Sequence, residues 1–276
     1  MATTQTTASP KNAQGFQGIK AAFWIIVVCF IIAVSFFKFY LGDASHFEGG
    51  NSEGHPLDIW GTIYKGGIVV PVIQTLLLTV VALSIERWLA LRSAFGRESL
   101  TKFVRSIKAA LNAKDFAKAQ QLCDKQRGSV ANVVSASLNA YKAMEAVTGI
   151  KKAQKIAKIQ QAHEEATQLE MPTLQMNLPI LATLVTLGTL TGLLGTVTGM
   201  IKSFQALAAG GGGDSLQLSA GISEALINTA FGISTSWLAV ISYGFFTNKI
   251  DKLTYALDEV GYSIAQTYEA NHEEEA

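Results

Sequence analysis

The residues best suited to chemistry in this chain are hydroxyls, one amide and one carboxylate set in apolar surroundings. Thr186, Thr189 and Thr196 lie within the run 178–201, and Glu224, Asn228, Thr229 and Ser236 lie within 218–246. A hydroxyl both donates and accepts, so it can hold water or a protonated carboxyl group without a permanent charge. A carboxylate in hydrocarbon is costly and is a functional candidate by default. Glu224 lies near the outer end of its run, where that cost is smaller. Thr189, Thr196 and Ser203 are seven residues apart and share a helical face, with Thr186 near it. In the later run, helical spacing puts Glu224, Asn228, Phe231 and Thr235 on one face and Thr229 and Ser236 on another. One of these faces can line a pore while the other meets a neighbouring subunit.

A second reading of the same residues is packing. Gly188-x-x-x-Gly192 and Gly195-x-x-x-Gly199 are close-approach patterns for membrane helices. Threonine hydroxyls can bond to the backbone carbonyl one turn back. Other chemistries find less support. Gly210–Gly213 is not followed by Gly-Lys-Ser/Thr, so it is no phosphate loop. Gly195–Gly199 sits inside a continuous apolar run, where an ion filter would need non-helical backbone. His46, His55, His163 and His272 have no ligand spacing, and Cys29 and Cys123 lie in unlike surroundings. The expectation is no metal, no disulfide and no cofactor.

Long apolar runs must position these groups. Apolar residues make up 49% of the chain and charged residues 16%, below the roughly 25% charge of soluble domains. The charge is gathered between the runs, as in a membrane protein. A net charge of +1 gives no basic face for nucleic acid. Residues 1–20 form a leader rich in Thr, Gln and Ala. Residues 21–41 approach the roughly 20 residues that span a bilayer. They read as a retained span because no small-x-small cleavage site follows promptly. An acidic loop, 42–66, precedes a second span at 67–91, with Glu86, Arg87 and Trp88 marking its interfacial end. A polar helical region covers 92–177, and the third and fourth spans occupy 178–201 and 218–246. Ile250, Leu253, Leu257, Val260 and Ile264 then repeat as a heptad seam, so one long helix should continue beyond the fourth span. An acidic tail, 266–276, closes the chain. The fold class is therefore all-α and polytopic. Basic residues crowd the leader, the middle region and the end of the fourth span, which places both termini and 92–177 in the cytoplasm.

Two motifs carry a family resemblance. Leu193–Met200 (LLGTVTGM) resembles the LxGTVxGM signature of ExbB and TolQ, and Gly221–Gly232 resembles their GIxEALxxTAxGL motif. Glu86-Arg87 resembles the end of their first helix. The chain resembles the MotA/TolQ/ExbB proton-channel family, with ExbB nearest, over about 67–265; the span 21–41 and the loop 42–66 are additions to its usual three-helix plan.

The resemblance implies a ring-shaped homopentamer in the bacterial inner membrane, with long helices extending into the cytoplasm. It also implies that the last two membrane helices line a pore holding a dimer of an ExbD-like or TolR-like single-span partner, which supplies a membrane aspartate. Thr196 and Thr229 match pore-facing threonines, and Glu224 matches the family glutamate. The implied work is stator service, with the proton motive force energising outer-membrane transport through a TonB-like protein, and no enzyme activity. A TolQ-like envelope-integrity motor, a solute transporter and a non-conducting scaffold are the alternatives. A transporter would show internal repeats or broken helices, and none is visible.

Overall fold

A computed structural model describes residues 22–52, 54–209 and 215–273. The leader 1–20, the glycine run Gly210–Gly213 and residues 274–276 of the tail lie outside the described residues. Among the described residues there are helices and no strand. In chain order the α-helices are α1 (Ala22–Ser35), α2 (Ile59–Tyr64), α3 (Val69–Phe95), α4 (Leu100–Asn112), α5 (Phe116–Gln126), α6 (Gly128–Glu145), α7 (Lys152–Gln175), α8 (Leu178–Ala209) and α9 (Ser215–Asn271). Four helical stretches, Ala22–Leu41, Val69–Asn112, Lys152–Ala208 and Gln217–Asn271, are long and apolar enough to cross a membrane by length and composition, and they take in α1, α3 and nearly all of α8 and α9.

The chain divides into two compact units. The apolar unit combines the described residues of Ile19–Arg87 with Asn177–Thr247. Its outer surface carries Phe23, Trp24, Leu190, Val197, Leu226 and Trp237, all well exposed. Such large apolar side chains facing outward suit lipid. The hydroxyls return to their own helices: Thr75 donates to the Pro71 carbonyl at 2.7 Å and Thr79 to that of Thr75 at 2.8 Å. A polar residue thereby enters an apolar helix without an orphaned group.

The expected acidic loop 42–66 is an ordered cap. After α1 the helix widens into a π-helical turn, Phe36–Leu41, followed by two 3₁₀ turns and α2. Asp58 caps α2 by accepting from the Gly61 amide at 2.8 Å, and it also pairs with Nδ1 of His46 at 2.6 Å. The Gly61 amide, and then His46, hold the Asp58 carboxyl below its ordinary value. Rings do the rest. Phe37 stacks on Tyr64 at 4.8 Å, and Tyr40 meets Trp60 edge-on at 5.6 Å. Beneath them Leu41, Ile63 and Val70 form a buried core against Phe37, Tyr64, Ile227 and Phe231. The aromatics are scattered through a loop-like sequence with no period, so composition alone reads as loop.

Glu86 and Arg87, expected at an interface, are instead buried. The Arg87 guanidinium donates twice to Glu86, at 2.6 and 2.5 Å, and Asn177 adds its amide to the same carboxylate at 3.2 Å. The side chains are 4% and 0% exposed, so pairing replaces the water that an interface would give. Trp88, the next residue, is half exposed, as expected of an interfacial indole.

The polar unit combines Trp88–Met176 with Asn248–Ala276. The amphipathic α4 buries Phe103, Val104, Ile107 and Leu111, and α6 buries Val130, Val133, Val134 and Leu138. The heptad positions Ile250, Leu253, Leu257, Val260 and Ile264 of α9 are all essentially inaccessible. The fourth apolar run and this seam belong to one helix of 57 residues, as the spacing predicts. His163 of α7 is buried here, with Ser137 Oγ at 2.9 Å from Nδ1 and the ring against Gly261. Burial pushes the His163 pKa down, partly opposed by Asp258 and Glu164.

Candidate functional site

The face of α8 that carries Thr189, Thr196 and Ser203 meets α9 along its length. Thr189 Oγ1 lies 2.8 Å from Ser236 Oγ, and Ser236 donates to the Val185 carbonyl at 2.6 Å. Two turns on, the hydroxyls of Thr196 and Thr229 are in direct hydrogen-bond contact. Thr196 also donates to the Gly192 carbonyl at 3.2 Å, and Thr229 reaches the same oxygen at 3.4 Å. Further along, Ser203 Oγ donates to the Leu218 carbonyl at 3.2 Å. The sevenfold spacing on α8 thus corresponds to a row of hydroxyl contacts. Thr186 is exposed, as is Thr189, whose hydroxyl nevertheless reaches Ser236.

Glycines set the approach of these helices. A side-chain carbon on Gly232 would sit 2.6 Å from the Gly188 carbonyl oxygen and 2.7 Å from Gly192 Cα. One on Gly195 would collide with Asn228, and one on Gly199 with the Gly221 carbonyl. Backbone meets backbone there, which no larger residue permits. Close approach also brings the threonine hydroxyls within reach of one another, so the packing reading and the polar-stripe reading describe the same face.

The other face of α9 has different partners. Asn228 is fully buried and donates to the Gly66 carbonyl at 2.8 Å. Glu224 accepts from Lys202 of α8 at 2.6 Å; the lysine side chain is 55% exposed and the glutamate 9%. Gly67, at φ +75°, passes so close that a side-chain carbon would lie 2.6 Å from the Glu224 carboxylate. That positive φ and the close approach both require glycine. Thr235 is buried and donates to the Phe231 carbonyl at 2.9 Å. The two faces read from spacing are not cleanly divided in the contacts: Asn228 and Glu224 reach the turn before α3 but also meet Gly195 and Lys202 of α8, while Thr229 and Ser236 reach α8.

Lys202 escapes the sequence reading because it lies just past the boundary drawn for the third span. The helix runs on to Ala209. A signal was available: Lys202 is the one basic residue between 178 and 247, and Glu224 is the one acid there besides Asp214. Isolated opposite charges in apolar segments are expected to pair. Among the described residues no group of His, Cys, Asp or Glu could hold a metal ion.

Four helices long and apolar enough to cross a membrane, with a glycine-tight α8–α9 contact lined by hydroxyls, fit a polytopic membrane protein with a polar seam. Residues 128–259 match the MotA/TolQ/ExbB proton channel family. The chain is also 29% identical over 203 residues to the Tol-Pal system protein TolQ of Pseudomonas aeruginosa, covering 71% of this chain and 85% of that protein. The chain is thus similar to the MotA/TolQ/ExbB family over these residues.

Proposed function

We propose that this protein is the stator-like subunit of a proton-driven motor in the bacterial inner membrane, with Thr196 and Thr229 on the proton path. The observation that carries this reading is their mutual hydroxyl contact on the α8–α9 seam. A hydroxyl pair can pass or order a proton, but it cannot store one at neutral pH. The nearest carboxylate on these helices, Glu224, is engaged by Lys202. The titrating acid must then come from a partner, and a single-span ExbD-like or TolR-like protein with a membrane aspartate fits that need. Each charge crossing about 100 mV releases about 2.3 kcal/mol, enough to bias the motion of partner helices.

In this reading five copies form a ring, a partner dimer occupies the pore, and both termini and the polar unit face the cytoplasm. Thr186, Thr189, Asn228 and Ser236 support the lining or the subunit contacts, and the glycines of α8 set helix spacing. The regions follow the boundaries drawn from sequence, with 67–265 as the channel domain and 21–41 as an additional span. The ExbB-like motifs favour work on outer-membrane transport through a TonB-like protein. The similarity to TolQ supports an envelope-integrity output equally.

Two measurements in a deletion strain distinguish the outputs. Loss of receptor-mediated uptake with normal detergent resistance indicates the transport role, and the reverse indicates the envelope role. Unchanged behaviour in both, with proton conductance absent from the purified complex, would reject the motor.

A further inference from the structure

A basic groove in the polar unit has no part in the proton path. It lies between α4 and α9, encloses about 710 Å³, and is rimmed by Arg105, Lys108, Lys249 and Lys252. Its floor is apolar, with Phe95, Leu100 and Val104, and Tyr255 flanks it with its ring largely exposed. One acid, Glu259, reaches the groove, and it is paired with Lys108 at 2.5 Å. Lys249 is held above the Phe95 ring, its Nζ 5.9 Å from the centroid. Arg105 and Lys252 extend from exposed positions. Even apart from Lys249, Arg105, Lys108 and Lys252 against the one acid leave a positive site with an oily base.

Its place along the chain says what could fill it. Lys249 and Lys252 lie within two helical turns of the end of the apolar run 218–246, and Phe95 is the last residue of α3. Trp88 is half exposed, with the Arg92 guanidinium stacked 5.5 Å from its ring. Indole and guanidinium together mark the headgroup level of a bilayer. A groove there meets phosphate at its rim and acyl carbons at its floor. Its volume falls in the usual range for small-molecule sites, about 300–1,000 Å³, and is larger than a lone phosphate needs. Basic pockets beside membrane helices on the cytoplasmic side take anionic headgroups.

We infer that this groove binds the phosphodiester headgroup of an anionic phospholipid, with Arg105 and Lys252 as its main phosphate contacts. The inference depends on the membrane spans and not on proton conduction. Binding neutralises like charges that α4 and α9 hold close together, so the lipid should also stabilise the polar unit.

The test uses the full-length complex in detergent, titrated with phosphatidylglycerol, phosphatidylcholine or inorganic phosphate. Native mass spectrometry counts bound lipid, and thermal unfolding reads stabilisation. Phosphatidylglycerol should bind and raise the melting point, while phosphatidylcholine does neither. The Arg105→Gln/Lys252→Gln variant should bind roughly 30-fold more weakly, about fivefold for each basic residue. The charge-matched control Lys118→Gln/Lys158→Gln and the charge-retaining Arg105→Lys/Lys252→Arg should bind as the parent does, which also shows that a loss is not misfolding. Equal binding by the groove variant and the parent overturns the assignment. Displacement of the lipid by millimolar inorganic phosphate would reassign the site to a free anion. Disassembly of the oligomer with lipid binding intact would reassign it to a subunit contact.

Discussion

Lys202 and Glu224 stand 22 residues apart in the chain and 2.6 Å apart in space, and they are the lone fixed charges of opposite sign on the described parts of α8 and the apolar part of α9. The pair closes one end of the same helix contact that carries the threonines. Lys202→Met should cost about 1 kcal/mol, the upper range for a half-exposed pair, and leave Glu224 without its main cation. Glu224→Gln should weaken proton-driven work only partly, because it keeps a hydrogen-bond partner for Lys202. Melting of the purified complex and uptake in cells give the two readouts. Complete inactivity of Glu224→Gln with normal assembly would move Glu224 into the path itself.

Thr196→Val and Thr229→Val each remove one hydroxyl from the central contact and keep the branched shape. Each should cost about 1 kcal/mol in stability, the typical worth of one hydrogen bond, and leave the oligomer intact. Both should abolish proton-driven uptake. Full activity in the double variant, with assembly checked in the same cells, would remove both residues from the path.

Glycine substitution separates the seam from the rest of α9. Gly232→Ala drives a methyl into the Gly188 carbonyl and should cost about 1–3 kcal/mol, with weaker assembly. Gly244→Ala meets nothing within 4 Å and should be neutral or stabilising, since alanine is the better helix former. Detergent melting curves of the two variants check the contrast, and equal melting points would mean that the helices do not approach as described.

His163 should make the polar unit acid-sensitive. Burial lowers its folded pKa, so the native state holds the neutral ring. The unfolded chain takes up the proton first as pH falls below the ordinary value of 6.5. Stability is therefore complete above that value and is lost progressively as pH falls toward the folded pKa. The melting point of the parent should drop more steeply than that of His163→Gln between about pH 7 and about pH 5. Parallel curves would show that another group governs the acid response.

The proposed orientation predicts that a cysteine at Ser52 labels from outside the cell and one at the exposed Gln121 does not. Native Cys123 is unsuited to this test. It is 3% exposed, and burial pushes its thiol up to about 12, so it resists reagents from either side. External labelling of Gln121→Cys would overturn the topology.

Periodic features of this fold could be read from the sequence. The heptad seam and the sevenfold spacing of Thr189, Thr196 and Ser203 correspond to buried or contacting faces, since both follow from helix geometry. Features set by tertiary pairing could not be read. Adjacent Glu86 and Arg87 look like a polar helix end, and only the fold shows that they satisfy each other away from water. The cap is held by rings that have no sequence period, and Lys202 was hidden by a boundary drawn from hydropathy.

The cap has a further consequence for how the chain can be engineered. Leu41 and Ile63 share one core with Val70 of α3 and pack against Ile227 and Phe231 of α9. The segment Ala22–Leu41 is therefore not a removable cassette. A chain trimmed back to begin at α3 would present a bare apolar socket around Val70 and Phe231, and redesign would have to resurface that socket before the shorter version could stand alone.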